Sequence, residues 1–500
     1  MTRNRSDSVF SSRRAMLQAA GGCAMMTNTS LMATLLNLQA TKALMAADTD
    51  TSGYKAIVCL FLFGGNDSYN MLVPNDGDAG SGEYGDYHTI RGGYDDGVNN
   101  PGGLALPQDS LVPIAGPNGR SFGLHPGLAA QADAAPGADP TTTGVASLYQ
   151  SGNLALVANI GSLLERTTRP TYQARTNLPL GLFSHSDLQR HWQTGFPQSR
   201  SQVTGWGGRM ADLLLATNQN PTVSMNISVN GMNLFQTGGS VVPYAIGSGG
   251  ATVVNGYSPG LTTGNRANRI FTRALDNILD QTYTDLLAKS LADSTRNATD
   301  AALAFNTAVD TVTLNTPFAD ENPSNQLEMV ARVIGAQSQL QQQRQIFFVS
   351  NGGWDMHGNL ISGQETKLPT ISRALKSFYD ATVELGVQND VVLFTASDFA
   401  RTLSTNGQGS DHAWGGNQII LGGGVDGGKI YGEFPDALTA NHPLNLGRGR
   451  LIPTTAVDEL AAELALWFGV SNGQDLETVL PNIRRFYGSG GSGTPLGILG

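Results

Sequence analysis

The stretch QIFFVSNGGWDMHGNLISGQETKLPTISRALKSFYDATVELGVQNDVVLFTASDFA, residues 345–400, decides the predicted fold. Its two continuous apolar runs, 345–350 and 391–396, are typical of strands buried on both faces of a parallel sheet. Between them, over 369–388, apolar residues recur at the spacing of an amphipathic helix. These residues are Ile371, Leu375, Phe378, Thr382 and Leu385. A strand, a helix and a second strand in this order form a βαβ unit.

Three other apolar runs, 55–63, 154–160 and 418–423, have the same character and predict further strands of one sheet. We therefore expect a doubly wound α/β domain over 48–487 with a mostly parallel sheet. The polar, glycine-rich and then helical stretch 205–343 is interpreted as an inserted cap. The composition of residues 488–500, rich in Gly and Ser, predicts a flexible tail.

Composition excludes several classes of protein. The chain of 500 residues carries 40 acidic and 30 basic side chains, for a net charge of −10, which argues against binding to nucleic acid. It does not exclude an anionic substrate, because a metal ion can supply positive charge locally. The two cysteines, Cys23 and Cys59, allow neither a disulfide framework in the mature chain nor a cysteine zinc site.

The N-terminus has the form of an export signal. Arg13 and Arg14 precede a mildly apolar stretch rich in small residues, which ends near 43–48. There are two alternatives: an ordinary helix that happens to carry two arginines, or a lipoprotein cleavage site before Cys23. The stretch is too polar to span a bilayer, so no stable membrane insertion is expected. Removal of 1–47 after passage through the twin-arginine translocase would leave a periplasmic or secreted protein.

Polar side chains follow the predicted strands where a parallel sheet binds its ligands, beyond the carboxyl ends. These residues are Asp67, Asp355, His357, Asp398, Arg401, Asp411 and His412. Several carboxylates cannot share one cleft as bare anions, and one or two divalent cations would resolve the repulsion. Aspartate with histidine suits zinc, manganese or iron, whereas a site dominated by oxygen suits calcium or magnesium.

Each of these motifs has a simpler explanation when taken alone. Asp67 and Asp398 could cap helices. Asp355 and His357 could belong to a turn, and 409–417 could be a plain glycine loop. The coincidence favours a site, because two of only seven histidines lie beside aspartates in loops at predicted strand ends.

The segment LFSHSDLQRHWQTG, residues 182–195, has a serine before a helical pattern. Ser184 is either a helix cap or a nucleophile favoured by the positive end of the helix dipole. Ser186 is the second candidate nucleophile, and His191 is expected to be a packing or surface residue.

Seven segments together resemble one family of twin-arginine-exported bacterial proteins, the domain of unknown function 1501. They are 13–14, 61–74, 183–195, 205–212, 352–359, 396–402 and 409–417. That family resembles the alkaline phosphatase and sulfatase superfamily. The resemblance implies a doubly wound α/β core, one or two metal ions at the strand ends, and a serine, threonine or formylglycine nucleophile.

By position, Asp67 resembles the metal ligand that follows the first strand of the superfamily. Asp355 with His357 resembles the Asp and His pair of one metal site, although the usual spacing is longer. Asp398 resembles the aspartate of an Asp-His dipeptide, and His412 the late histidine ligand. Ser184 resembles the nucleophile.

The chain also departs from the superfamily pattern. Phe399 stands where the histidine of the Asp-His dipeptide would be, so a second metal site would need Asp411 or His185 instead. The Cys-x-Pro-x-Arg motif of formylglycine sulfatases does not occur in the sequence.

These observations predict an exported, metal-dependent hydrolase whose substrate is a phosphate or sulfate ester of a small molecule or glycan. Arg401 would hold the non-bridging oxygens as a bidentate donor, or would form an ion pair with a nearby aspartate. The alternative is a non-catalytic, metal-stabilised protein that binds a glycan or a protein partner.

Overall fold

The computed structural model describes residues 53–98, 100–220, 223–489 and 493–499. The predicted export signal over 1–47, with Cys23, lies outside these residues. Cys59 is buried and has no disulfide partner in the described part of the chain. No helix among these residues is both long enough and apolar enough to cross a membrane.

The described residues form an α/β fold with strands and helices mixed along the chain. The strands are β1 Lys55–Leu62, β2 Leu72–Pro74, β3 Val112–Ala115, β4 Ser121–Leu124, β5 Leu154–Gly161, β6 Asn226–Ser228, β7 Tyr244–Ala245, β8 Arg344–Asn351, β9 Val391–Ser397, β10 Gly416–Leu421, β11 Ile430–Gly432 and β12 Thr455–Ala456. The α-helices are α1 Ser68–Met71, α2 Gly82–Ile90, α3 Gly144–Gln150, α4 Arg169–Gln173, α5 His185–Thr194, α6 Trp206–Leu214, α7 Arg266–Leu279, α8 Leu286–Asp310, α9 Ser324–Gly335, α10 Gln337–Leu340, α11 Leu360–Glu384, α12 Val457–Phe468 and α13 Gln474–Val479.

One mixed, mostly parallel sheet of nine strands organises the fold. Its order is β11-β5-β10-β9-β1-β8-β6-β7, and β12 pairs with β5. The central strand β1 is parallel to both β8 and β9, and all of its residues except Lys55 are buried. Burial on both faces explains why these strands have continuous apolar sequences.

The predicted βαβ unit is confirmed as β8, α11 and β9. The helix begins at Leu360, nine residues before the predicted start. Its first turns bury Leu360, Gln364 and Leu368 at four-residue spacing. The amide of Gln364 donates to the carbonyl of Asp67, so a buried polar residue interrupts the apolar pattern there.

The direction of β10 differs from the prediction. The apolar run 418–423 was expected to be one more parallel strand, but β10 is antiparallel to both β9 and β5. An apolar run records burial and carries no information on strand direction. Because β10 is antiparallel to β9, the loop 398–415 connects the C-terminal end of β9 to the N-terminal end of β10 at the same end of the strands.

Residues 205–343 contribute to the sheet as well as to helices. The short strands β6 and β7 are parallel and extend the sheet beyond β8. The long helix α8 pairs with α7, and α9 packs against α11. The stretch 75–125, which is rich in turns, supplies β3 and β4, which form a small antiparallel sheet with β2 in the order β2-β4-β3.

The end of the chain is packed, which corrects the prediction of a flexible tail for 493–499. Ile498 and Leu499 are buried, and the backbone N–H groups of both donate to the carboxylate of Glu463 at 2.8 Å. Composition predicts flexibility only when the backbone finds no partner, and here a buried carboxylate is that partner.

Candidate metal centre at the sheet edge

Four side chains from distant parts of the chain meet at one edge of the main sheet. Asp355 and His357 follow β8, His412 precedes β10, and His185 begins α5. One ligand atom each of His185, Asp355 and His412 lies within 4.8 Å of the others. His357 Nε2 lies 3.0 Å from His412 Nε2 and 3.1 Å from Asp355 Oδ1. The structure therefore brings together four of the predicted ligands.

Each of the three imidazole rings is oriented by an acceptor at Nδ1. His357 Nδ1 lies 3.0 Å from Asp411 Oδ1, and His185 Nδ1 lies 2.6 Å from Asp398 Oδ2. His412 Nδ1 lies 2.8 Å from the carbonyl oxygen of Phe183. A carbonyl and a carboxylate can only accept, so Nδ1 carries the proton and a neutral ring has its lone pair on Nε2. This is how metal-binding histidines are held in proteins.

The charge states of the group suit a cation. Burial raises the pKa of Asp355, but the hydrogen bond and charge of Arg401 outweigh it, so this pKa lies below its usual value. Burial lowers the pKa of His412, which keeps the imidazole neutral. A metal ion needs a charged carboxylate and a neutral imidazole as ligands.

The spacing of the donor atoms also fits a shared ion. Asp355 Oδ1 lies 3.4 Å from His412 Nε2, and Asp355 Oδ2 lies 3.5 Å from His185 Nε2. Ligands about 2.0–2.2 Å from one zinc ion stand roughly 3–3.5 Å from each other. Three nitrogens and one carboxylate suit zinc, manganese or iron better than calcium or magnesium.

Asp398, predicted as a ligand, is hydrogen-bonded to His185, one of the four converging residues. Its carboxylate accepts from the Gly64 N–H at 3.2 Å, from His185, and from the Gln189 amide at 2.8 Å. The side chain is fully buried, and no oxygen of Asp398 belongs to the group of converging atoms. Its role is therefore to hold His185.

Asp411 has the same relation to His357. Its carboxylate also accepts from Asn406 at 3.2 Å and from Arg448 at 2.6 Å. Burial raises the pKa of Asp411, but hydrogen bonds from Asn406, Arg448 and His357 lower it to about 2. Asp411 therefore remains an acceptor for His357 over the whole physiological range.

Asp67, predicted as a metal ligand, lies outside the group of converging residues. Asp67 forms a fully buried ion pair with Arg91, which follows α2. Arg91 also donates to the carbonyl groups of Thr402 and Leu403, at 3.3 Å each. The pair joins the first sheet strand to the loop after β9, and Arg91 neutralises the carboxylate that a metal was expected to neutralise.

Arg401 forms an ion pair, as in the alternative interpretation. Its side chain is fully buried and lies 2.8 Å from Asp355 Oδ1. It also donates to the carbonyl oxygen of Gly64 at 3.1 Å and to that of Ser410 at 2.6 Å. These contacts occupy four of its five N–H donors, and the side chain is fully buried, so Arg401 fixes Asp355 and is not placed to hold substrate oxygens.

Both candidate serines lie at the start of α5, beside His185. Ser184 occupies the cap position, but its side chain makes no capping bond. Its hydroxyl lies 3.2 Å from that of the exposed Ser186. The preceding Phe183 has a φ of +71°, which is unusual for a residue with a side chain. This conformation accompanies the contact between the Phe183 carbonyl and His412.

His191 is a packing residue, as predicted. It is 1% exposed, and neither ring nitrogen has a hydrogen-bond partner within the described structure. Burial is the main cause that lowers its pKa to about 4.

Phe399 directly follows Asp398, at the position where the sequence comparison led us to expect a histidine. Its ring is buried, with its centroid 4.8 Å from that of His185 and 4.5 Å from that of His412. His185 thus enters the centre from α5, which was one of the two replacements considered. Phe399 supplies an apolar wall for both imidazoles.

Some participants were not predicted. The carbonyl of Phe183 carries no side-chain signal, because every residue has one. Gln189 lies four residues after His185 and therefore on the same face of α5, a spacing that could have identified it. Arg448 lies in a turn remote from the motifs, and only the folded chain shows its contact with Asp411.

Comparison with known proteins assigns a family but no activity. No curated protein matches the chain. Residues 54–480 match the model of a family described as "Protein of unknown function (DUF1501)". This match covers nearly the whole described chain, including all four converging residues. The chain therefore belongs to the DUF1501 family.

Proposed function

We propose that this protein is an exported, metal-dependent hydrolase of phosphate or sulfate esters. On this proposal its α/β core is doubly wound, as in the alkaline phosphatase and sulfatase superfamily. The twin-arginine translocase would deliver it folded to the periplasm or the exterior. The distance of 3.0 Å between the Nε2 atoms of His357 and His412 is the observation that carries the proposal.

Two neutral imidazoles in this arrangement repel one another. Each ring has its Nδ1 beside an acceptor, so both lone pairs face the same point. A proton or a metal cation between them would relieve this repulsion. Burial lowers the pKa of His412, which disfavours the proton, and the nearby carboxylate of Asp355 favours the cation.

His185, Asp355, His357 and His412 would hold the ion. When bound, a divalent ion polarises ester oxygens and favours the deprotonated form of a nearby hydroxyl. Ser184 would attack the phosphorus or sulfur of the ester as the bond to the substrate alcohol breaks and the alcohol leaves, and water would then hydrolyse the seryl ester; Ser186 would hold the Ser184 hydroxyl in place. The N-terminal end of α5, where both serines lie, favours negative charge on the hydroxyl and on the substrate.

The test is hydrolysis of an aryl phosphate, an aryl phosphodiester and an aryl sulfate, with zinc, manganese, calcium or magnesium added separately. At least one substrate should be turned over in a metal-dependent way. Ser184→Ala should abolish turnover and leave the melting temperature unchanged. Ser199→Ala, at a half-buried serine whose hydroxyl also lies beside a second serine, is the matched control. If metal is bound and no ester is hydrolysed, the proposal fails.

A second candidate function is a non-catalytic protein that binds a glycan or a protein partner and keeps the metal for stability. The hydroxyl of Ser184 favours it, because that hydroxyl contacts Ser186 and has no recorded contact with the four converging residues of the described structure. Under this function, Ser184→Ala would change neither metal content nor partner binding.

A further inference from the structure

A tight turn at residues 447–450, with the sequence GRGR, lies against the candidate metal centre. Three consecutive residues have left-handed backbone angles, with φ of +105° at Gly447, +59° at Arg448 and +72° at Gly449. The glycines adopt such angles freely, but Arg448 does so only with backbone strain. Unfavourable backbone geometry of this kind is concentrated at functional sites.

The turn is rigid because the surrounding chain specifies it. The side-chain oxygen of the buried Asn445 accepts hydrogen bonds from the backbone N–H groups of Gly447, at 2.8 Å, and Gly449, at 3.0 Å. A Cβ atom on Gly449 would lie 2.3 Å from that of Leu403, so the turn packs directly on the loop after β9. Its two arginine side chains therefore start from fixed positions.

Both arginines contact residues that surround the centre. Arg448 pairs with Asp411, the carboxylate that orients His357. Arg450 donates through Nε to the carbonyl oxygen of His412 at 3.2 Å, and its guanidinium lies 5.1 Å from the centroid of the Phe183 ring. Within the described structure, the two terminal nitrogens of Arg450 have no recorded protein acceptor, in contrast to those of Arg401.

We propose that Arg450, assisted by Arg448, binds the non-bridging oxygens of a phosphate or sulfate group at this centre. The inference rests on the proposed function, and it transfers to Arg450 the role first expected of Arg401. A guanidinium with free N–H groups in a fixed plane suits a tetrahedral oxyanion. A chain with a net charge of −10 needs such local positive charge to attract an anionic substrate.

The experiment measures the binding of inorganic phosphate and inorganic sulfate by calorimetry, with zinc present and after chelation. Wild-type protein with zinc should bind at least one anion, and Arg450→Ala should weaken this binding about tenfold or more. Arg450→Lys keeps the positive charge but not the paired N–H donors of the guanidinium, so it should bind the anion with intermediate affinity. This variant serves as the test if Arg450→Ala folds poorly. Arg273→Ala, at an exposed arginine of α7, is a control with the same change in net charge.

The outcomes separate this inference from the proposed hydrolase. Unchanged anion affinity in both Arg450 variants, an equal loss in the Arg273 control, or no anion binding by wild type would overturn the inference. A loss of zinc in Arg450→Ala would also overturn it, because Arg450 would then support the metal centre. Anion binding that is lost in Arg450→Ala, in a wild-type protein that hydrolyses no ester, would uphold the inference and reject the hydrolase.

Discussion

His357 and His412 face each other through Nε2 atoms 3.0 Å apart, although 55 residues separate them in the chain. His357 follows β8, and His412 lies in the loop before β10. They meet because β10 is antiparallel, so the loop before it lies at the same edge as the loop after β8. Several consequences of this arrangement can be measured.

Metal content should depend on this pair. Replacement of His357 or His412 by alanine removes one nitrogen donor, and elemental analysis of the natively expressed protein should show bound metal in the wild type and little in either variant. His88→Ala, outside the centre, should retain the metal. Equal metal content in all four proteins would show that no ion lies between the two rings.

Asp398→Asn should weaken metal binding without removing a ligand. The carboxylate accepts three hydrogen bonds, including the one that orients His185. Loss of an orienting carboxylate typically lowers metal affinity roughly 10- to 100-fold. Competition with a chromogenic chelator measures this change, with Asp426→Asn at the surface as the control. An unchanged affinity would mean that Asp398 does not position His185 for binding.

Gly64→Ala should displace the loop that carries Asp355. A Cβ atom at Gly64 would lie 2.4 Å from the backbone nitrogen of Asp355, and the φ of +121° disfavours any side chain. We expect a loss of stability of about 2 kcal/mol or more, together with weaker metal binding. Gly352→Ala in the same loop meets nothing within 4 Å and should be tolerated. Thermal unfolding of both variants checks the prediction.

The stability of the fold should fall as the pH decreases from 6.5 to 4. Burial lowers the pKa of His191 from 6.5 to about 4, so in this window the unfolded chain takes up a proton that the folded chain does not. The contribution of the neutral, buried His191 to the free energy of unfolding is complete above pH 6.5. It is lost as the pH falls towards the pKa of the folded state. At ~1.4 kcal/mol per pH unit, His191 accounts for a loss of roughly 3 kcal/mol.

His191→Phe tests this assignment, because it removes the titrating group from an apolar site. Denaturant unfolding from pH 8 to pH 4 should show a smaller loss of stability in the variant. His125, whose pKa burial also lowers to about 4, contributes with the same sign in both proteins. Identical pH profiles for the variant and the wild type would contradict the assignment.

Glu463→Gln should release the end of the chain. The carboxylate accepts from the N–H groups of Leu496, Ile498 and Leu499 and from the Thr494 hydroxyl. An amide has one acceptor oxygen fewer, so buried donors lose their partner at a cost of about 1–3 kcal/mol. Hydrogen exchange at 494–499 should accelerate, while Glu477→Gln, at a more exposed carboxylate, should not change it.

The local pattern of the sequence was sufficient for much of the fold. The runs that form β1, β5, β8 and β9 are apolar because those strands are buried on both faces. Buried positions require apolar side chains, so the sequence indicates them directly. The βαβ unit was predicted because side chains between two such runs recur at helical spacing. The start of α11 was missed because its buried Gln364 bonds to a backbone carbonyl from another part of the chain.

The sequence alone also identified residues of the centre, since aspartate and histidine at strand ends are few enough to stand out. What it could not determine was which of them face one another. Because β10 is antiparallel to β9, His412 lies beside the residues that follow β8. Asp67 pairs with Arg91 and lies outside the centre. The fully buried Arg401 forms an ion pair with Asp355. A carboxylate or guanidinium has the same chemistry as a ligand, an orienting group or an ion-pair partner. Only its neighbours in the folded chain decide among these roles, because electrostatic and hydrogen-bond energies depend on distances that local sequence does not contain.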